Sequence, residues 1–486
     1  MSRGTRLGVA LAVSALALGL LGDALFQGQA LGVNVPLWMV AFTAALTVLL
    51  RIARAPLHQG RRFMVAPLLL FATLFIWHSS PLLVTANLLA LAAAVTMGAL
   101  RGAQPRLRTA TLSDYGGSFV RAATSTAFGA APLLMSDIRW NEVVGRARSE
   151  RVSAFARGLA LGVPLLFLFG GLFVAADAVF KNLVSSAVPS INETLLARVV
   201  IIAIWAWLAG GLLRDLLAVR SDDEEVPFAQ TRRRLGALEI GVALAFLDLL
   251  FLAFVVVQFR YLFGGSALVQ SEAHLTYAEY ARHGFFELVA VTALTLSVLL
   301  LADWALGSDG RRAFRWLAAA LLALLGVVIA SALERMRLYV QHFGLTELRL
   351  YATGGILWLA VVSAWFAFTV LRGRRHAFAV GALVAGFAAT LVLNVLSPDA
   401  LIARTNVTRP VVDVSYLAGL SDDAVPTLLS RISSLPAAQQ TELAQELLHR
   451  DVAAGDWRSW NVSRSRAADA LRAHRAELTA LAERRP

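Results

Sequence analysis

The fold class this sequence predicts is all-α: a polytopic integral membrane protein of about 11 transmembrane helices with a small external helical domain at its carboxyl end. Three observations predict it. Of 486 residues, 58% are hydrophobic and the mean hydropathy is +0.66, more apolar surface than a soluble chain can hide. The apolar residues fall into eleven runs suited to a hydrocarbon core about 30 Å thick, which takes roughly 20 helical residues to cross. The loops between the runs alternate between rich and poor in arginine.

In order, the runs are Leu7–Phe26, Val33–Leu50, Phe63–Trp77, Pro81–Leu100, Phe155–Phe180, Leu195–Val219, Gly236–Phe263, Phe285–Leu306, Trp316–Leu333, Tyr351–Leu371 and Ala377–Leu396. The third is short. It reads as a tilted helix or, with the fourth, as a re-entrant hairpin. The first reads as a span or as a signal peptide with a weak cleavage site near Gln29-Ala30; cleavage would leave the later topology unchanged.

Before residue 397, one set of loops holds 26 Lys and Arg. The other set holds seven: Lys181, Arg198, Arg260, Arg282, Arg335, Arg337 and Arg349. Arginine-rich loops face the cytoplasm, so the amino terminus is expected inside and the carboxyl terminus outside. Lys181 is the only lysine, a composition that suggests a GC-rich bacterial genome and hence a bacterial cytoplasmic (inner) membrane. The same asymmetry explains the net charge of +12, so the expected partner is the lipid bilayer and not nucleic acid.

Without cysteine there are no disulfides, thiolate nucleophiles or cysteine-held metals. No cofactor and no metal site is expected. The chain has no GxxxxGK[ST], no GxSxG, no HExxH and no GxGxxG after a strand, which argues against an ATP-driven pump and the familiar serine and zinc hydrolases.

Four regions follow. Residues 1–100 form a four-helix membrane segment. Residues 101–157 form a cytoplasmic region suited to amphipathic helices on the inner leaflet. Residues 158–396 form a seven-helix membrane core with two long outer loops, 264–284 and 334–354. In those loops Leu275-Thr276 precedes Gly284 at the spacing by which Leu345-Thr346 precedes Gly354, from duplication or from chance. Residues 397–486 form an outer tail with eleven Arg against eleven Asp plus Glu. Its helices are expected to start at Ser421-Asp422-Asp423, at Pro436 and at Ser463, the last placing Ala467, Leu471, Leu478 and Leu481 on one face. The tail reads as a binding module or as a packed cap. A protein partner through the tail or the cytoplasmic region is open.

Several segments carry a family resemblance: Ala175–Phe180, Gln258–Gly265, Thr276–Arg282 with Gly284–Leu288, Leu345–Tyr351, Pro398–Arg404 and Trp457–Asn461. They resemble a bacterial membrane-protein family designated domain of unknown function family 4173, or its sister family, over roughly residues 155–465. The resemblance implies a polytopic membrane protein and no activity.

Candidate polar residues divide into two groups. Within the membrane the sharpest is Asp248, midway along its run. An ionised carboxylate there costs several kcal/mol, so it is protonated, paired or reached by water. It reads as a proton- or cation-binding group, or as a neutral Asp joining two helices. Asp177 lies one helical turn from Lys181. Arg260 snorkels or holds an anionic headgroup. Glu287 shares a face with Glu279 and His283, and Asn394 suits a hydrogen bond to a neighbouring helix. Gly158 and Gly162 suit close helix packing. In the outer loops, Glu279, Arg282, His283, Glu347 and Arg349 are candidates for proton relay, cation binding or interfacial ion pairs, with Glu279 and Arg349 as partners if the loops are repeats. No catalytic residue is assigned.

Three functions fit: a secondary-transporter or permease-like protein; a non-enzymatic scaffold or sensory component recruiting partners through the inner region and the tail; and a lipid- or glycan-modifying enzyme using Arg335, Arg337, His342, Glu347 and Arg349.

Overall fold

The computed structural model describes residues 1–55, 59–100, 110–144, 150–152, 154, 158, 162, 193–217, 236–263, 285–306, 310–450 and 456–484. Every regular element among them is helical, and nine helices are long and apolar enough to cross a membrane. The expected third run is a 15-residue helix, α3 (Gln59–Thr73), with Pro67 inside it and a 3-10 turn, Leu74–Ile76, after it. The expected fifth run lies almost wholly outside the described residues, and with it Asp177.

The first bundle contains α1 (Arg3–Phe26), α2 (Asn34–Ala53), α3, α4 (Pro81–Gly98), α5 (Leu112–Phe128) and α6 (Glu193–Leu217). Periodicity builds it. Met64, Leu68, Phe71 and Phe75 recur at helical spacing and all are fully buried, so α3 presents one apolar face to its neighbours. Small residues set the closest approach. A Cβ on Gly19 would lie 2.6 Å from the Ile202 carbonyl, and one on Gly22 would lie 2.6 Å from the Trp205 ring, so α1 and α6 touch backbone to side chain. Trp205 in turn stacks on Phe26 at 4.9 Å and tilts against Trp38 at 5.2 Å. Close packing of the kind expected at Gly158 and Gly162 is seen on α1; the run that carries those two glycines lies almost wholly outside the described residues.

The second bundle contains α7 (Ala237–Phe263), α8 (Phe285–Ala305), α9 (Arg311–Phe343), α10 (Glu347–Thr369) and α11 (His376–Leu396). At 33 residues α9 is about 50 Å long, well beyond a hydrocarbon core of about 30 Å. It runs through most of the expected outer loop 334–354 and leaves only Gly344–Thr346 before α10. The run beyond Leu333 is amphipathic, with Ala332 and Met336 buried and Arg337 and Phe343 exposed, and such a pattern continues a helix outside lipid.

Helix α11 joins the bundles. Phe387 meets Phe71 at 5.2 Å, and Asn394 and Asn87 exchange amide hydrogen bonds of 2.9 and 3.2 Å. Asn394→Ala is expected to destabilise the detergent-solubilised protein by about 0.6–1.7 kcal/mol. A thermal-unfolding double-mutant cycle with Asn87→Ala checks this, and additive losses would show that the two amides do not act as a pair.

Helix ends gather into two faces. On one, acids tie down arginines: Asp137 to Arg214 at 2.7 Å, Asp215 to Arg121 at 3.4 Å, and Asp303 to Arg375 at 2.7 Å and Arg311 at 3.7 Å. On this arginine face α5 starts with a capping box, Thr111 and Asp114, and buries Tyr115, Ser118 and Ala122 on one side.

The other face carries the tail: α12 (Pro398–Asn406), α13 (Val414–Ala418), α14 (Val425–Arg431), α15 (Ala437–His449), α16 (Val462–Ala473) and α17 (Arg475–Ala482). These share one apolar core, with Ile402, Val425, Leu428, Leu443, Ala467 and Leu478 almost wholly buried. Two expected starts move. Pro426 sits in the first turn of α14, which begins at Val425 and not at Ser421, and Asn461, not Ser463, caps α16 by accepting from the Ser463 and Arg464 N–H groups. The third expected helix breaks at His474 into α16 and α17.

Candidate functional site

Four short turns meet where the tail rests on the bundles, and each brings a polar group. The first, residues 77–80, links the 3-10 turn to α4. Pro81 opens α4 and Ser80 is its cap residue, yet the Ser80 side chain makes no capping bond. An acceptor for the N–H groups just before the helix comes instead from Asp423 of the tail. Its Oδ2 accepts from the backbone N–H groups of Ser79 at 3.1 Å and Ser80 at 3.2 Å and from the Ser421 hydroxyl at 3.2 Å, and its Oδ1 lies 2.9 Å from His78 Nδ1. A carboxylate at this helix N-terminus is favoured twice, by the orphan donors and by the dipole.

The second turn is Gly344–Thr346. Gly344 has a φ of +80°, and a Cβ there would lie 2.9 Å from Asn406 Oδ1. The Asn406 amide clamps this turn by accepting from Leu345 N at 2.9 Å and donating to Leu345 O at 2.7 Å. Thr346 caps α10, which puts Glu347 in its first turn. At the third turn Ser397, with a φ of +49°, folds α11 into α12 and places Asp399 in the first turn of that helix. The fourth, residues 419–424, supplies Ser421, whose N–H donates to Asp399 Oδ2 at 3.1 Å.

Three carboxyl groups therefore share a buried site. Asp399 is 0% exposed, and no donor faces its Oδ1. The group beside it is the Glu347 carboxyl. Burial pushes the Asp399 carboxyl above the ordinary carboxylate range, Asp423 adds to the rise, and the Ser421 hydrogen bonds oppose it. Burial also pushes Asp423 up, but the His78 hydrogen bond and charge together with the Ser79 N–H outweigh it and hold this carboxyl below its ordinary range. Environment thus separates two carboxyls of one cluster, Asp423 ionised and Asp399 favouring a proton that a carboxyl–carboxylate contact with Glu347 would share. Tyr351 turns toward Ser80 within electrostatic range of all three acids, and neither hydroxyl closes a hydrogen bond of ordinary geometry. Among the described residues no three acidic or histidine side chains converge as metal ligands.

A fourth carboxyl stands apart. Asp248 lies in the middle of α7 with both oxygens buried, and neither meets a hydrogen-bond partner among the described residues.

The model of the family described as Domain of unknown function (DUF4153) matches residues 65–430. The chain belongs to this family. No curated protein and no solved structure matches it. The DUF4153 match begins inside the first bundle, earlier than the resemblance read from residues 155–465, and ends before Trp457-Arg458. It identifies an uncharacterised family, as the resemblance implied, under the number 4153 and not 4173. His78, Ser80, Asp248, Glu347, Asp399 and Asp423 all lie inside the DUF4153 region, whereas α16 lies outside it.

The residues singled out from sequence disperse within this DUF4153 chain. Glu347 enters the cluster. Arg349 does not: it donates to the Gly344 carbonyl at 2.5 Å and the Phe343 carbonyl at 3.1 Å and lies 4.0 Å over the Tyr339 ring, closing the end of α9. Arg337 pairs with Glu334 one turn away, and His342 Nδ1 lies 3.0 Å from the Leu338 carbonyl, both contacts within α9. Glu287 is exposed on α8, and Asn394 faces Asn87. Glu279, Arg282 and His283 lie outside the described residues, as does the Arg260 side chain. His78, Ser80 and Asp399 were not singled out, and Asp423 was read only as a helix start. In sequence Ser80-Pro81 has the form of an ordinary helix start, and only the structure shows that the Ser80 side chain does not cap α4.

Proposed function

We propose that this protein is a proton-coupled, permease-like membrane protein of eleven spans, with the arginine face in the cytoplasm and the tail outside. Sidedness rests on the arginine distribution, 26 against seven, in the loops before the tail. The observation that carries the functional reading is Asp248: a carboxyl at the middle of a membrane-length helix, buried and without a partner among the described residues. A carboxyl held there without a structural hydrogen bond is a group that fold stability alone gives no reason to keep, and intramembrane acids of this kind mark proton and ion paths. The carboxyl cluster under the tail, where burial raises Asp399, adds a second group suited to exchanging a proton.

The test is flux. Proteoliposomes enclosing a pH-sensitive dye receive an imposed pH gradient and membrane potential. The wild type is expected to dissipate the gradient, and Asp248→Asn to slow this by about tenfold or more. Insertion and the thermal midpoint of the Asn variant should match the wild type. A hydrophobic carbodiimide should modify Asp248 in the wild type, which reports a reachable carboxylic acid independently of flux. Tight wild-type vesicles, or undiminished flux in a well-inserted Asn variant, would overturn the reading.

A further inference from the structure

We propose that the groove between the end of α11 and the tail seats the headgroup of an anionic phospholipid, with Arg466 as its phosphate contact. The groove encloses about 510 Å³, within the range of small-ligand sites and enough for a headgroup and its glycerol but not for two acyl chains. Its floor is the membrane end of the protein, Leu391 of α11 and Leu74 of the 3-10 turn, with Val395 of α11 at its edge. Its far wall is the tail, where Thr427 and Arg466 line it. One side of the groove is therefore made of a span and the other of the domain that sits beyond the spans.

The rim fixes the depth. Trp77 lines the groove and is 54% exposed, and Val395 is 85% exposed. An apolar side chain so bare at a span's end faces acyl chains, and an indole beside it suits headgroup level. A ligand reaching the groove from this side arrives from the bilayer.

Charge selects the headgroup. Two acids also line the groove, and both are engaged: Asp422 by Arg450 at 3.0 Å, Asp423 by His78 and the start of α4. Arg466 is exposed and makes no ion pair or side-chain hydrogen bond among the described residues. A guanidinium offers paired donors that match a phosphate, and an apolar floor beside it adds what a free anion would not use. Those two features together commit the site to a lipid phosphate. The inference does not depend on proton coupling, and its test contains no flux measurement.

Native mass spectrometry of the full chain in mild detergent, titrated separately with phosphatidylglycerol and phosphatidylcholine, tests it. The wild type is expected to hold one phosphatidylglycerol more tightly than Arg466→Gln does, by about tenfold, with phosphatidylcholine little changed between the two. Arg466→Lys should recover part of the difference. Val395→Trp, which crowds the groove's edge, should weaken the same bound lipid without touching the cation. Because position 466 is exposed, the Gln variant should keep the wild-type thermal midpoint. Equal phosphatidylglycerol retention by wild type and Arg466→Gln would overturn the site. Competition by inorganic phosphate at the same concentrations as the lipid would overturn the lipid and leave only an anion site.

Discussion

Asp423→Ala is expected to free the tail from the bundles and to destabilise their junction by about 3–5 kcal/mol. Its carboxylate is nearly inaccessible and answers four donors or partners from two parts of the chain 345 residues apart in sequence: His78, the Ser79 and Ser80 N–H groups, and Ser421. Alanine leaves the Ser79 and Ser80 N–H groups, just before α4, without their acceptor in a partly buried turn, which is the expensive way to lose a hydrogen bond. His78→Ala should cost less, because Asp423 keeps its backbone donors. The other attachments shape what is lost. Asn461 donates to the Phe75 and His78 carbonyls at 2.8 Å, Arg458 to the Ala24 carbonyl at 2.6 Å, and the Val33 N–H to the Trp460 carbonyl at 3.1 Å. The Asn461 bonds hold the same turn and the other two hold the α1–α2 connection beside the same tail segment, so loss of Asp423 should loosen residues 456–463 together with the start of α14. Hydrogen exchange and limited proteolysis of the detergent-solubilised protein measure this. The expected result is fast exchange and early cleavage in the tail while α1, α6 and α9 stay protected. A tail that remains as protected in Asp423→Ala as in the wild type would show that the carboxylate is not what holds it.

That junction explains how far the sequence could be read. Helices within lipid are legible because a bilayer imposes one requirement, a long apolar run with its backbone bonds closed inside it. The same reasoning covers loops only by counting charge. It reads Arg214, Arg311 and Arg375 as markers of sidedness, while their ion pairs with Asp137 and Asp303 depend on which helix ends become neighbours. The junction is harder still. His78 and Ser80 sit in a four-residue turn that looks like any polar turn, Asp399 looks like an ordinary acid in a helix's first turn, and Asp423 looks like a helix start. Each has an adequate local explanation, and nothing local favours the distant one. Arg349 differs: the repeat of spacing between the outer loops points it toward Glu279, which lies outside the described residues, while α9 runs on to Phe343 and the Phe343 and Gly344 carbonyls accept from the guanidinium, a contact no local pattern announces. Asp248 was legible because lipid tolerates few explanations for a carboxylate.

The junction is also expected to weaken as pH rises, through Asp399. Its folded-state carboxyl titrates above the ordinary value of 3.8, mainly because it is buried. The fold therefore favours its protonated form. The stability it contributes is complete below the ordinary carboxylate range and is lost as pH climbs through the raised value. Asp423 works in the opposite sense. Its depressed value means its contribution is present above 3.8 and is lost only in strong acid, so it cannot produce a loss toward alkaline pH. Asp399→Asn separates the two. The Asn oxygen can still accept from Ser421 N, and its NH₂ gives the site the donor that a protonated Asp would supply beside Glu347. The wild-type thermal midpoint of the tail should fall as pH rises above the ordinary carboxylate range, while that of Asp399→Asn should stay level over the same rise. At the alkaline end the Asn variant should be the more stable by roughly 1–3 kcal/mol, the scale of a buried polar group left without a partner. Glu347→Gln should flatten the profile too, since either amide relieves one of two facing charges. A profile that is flat in the wild type would mean that the two carboxyls share no proton. A slope that survives Asp399→Asn would place the titrating group elsewhere in the cluster.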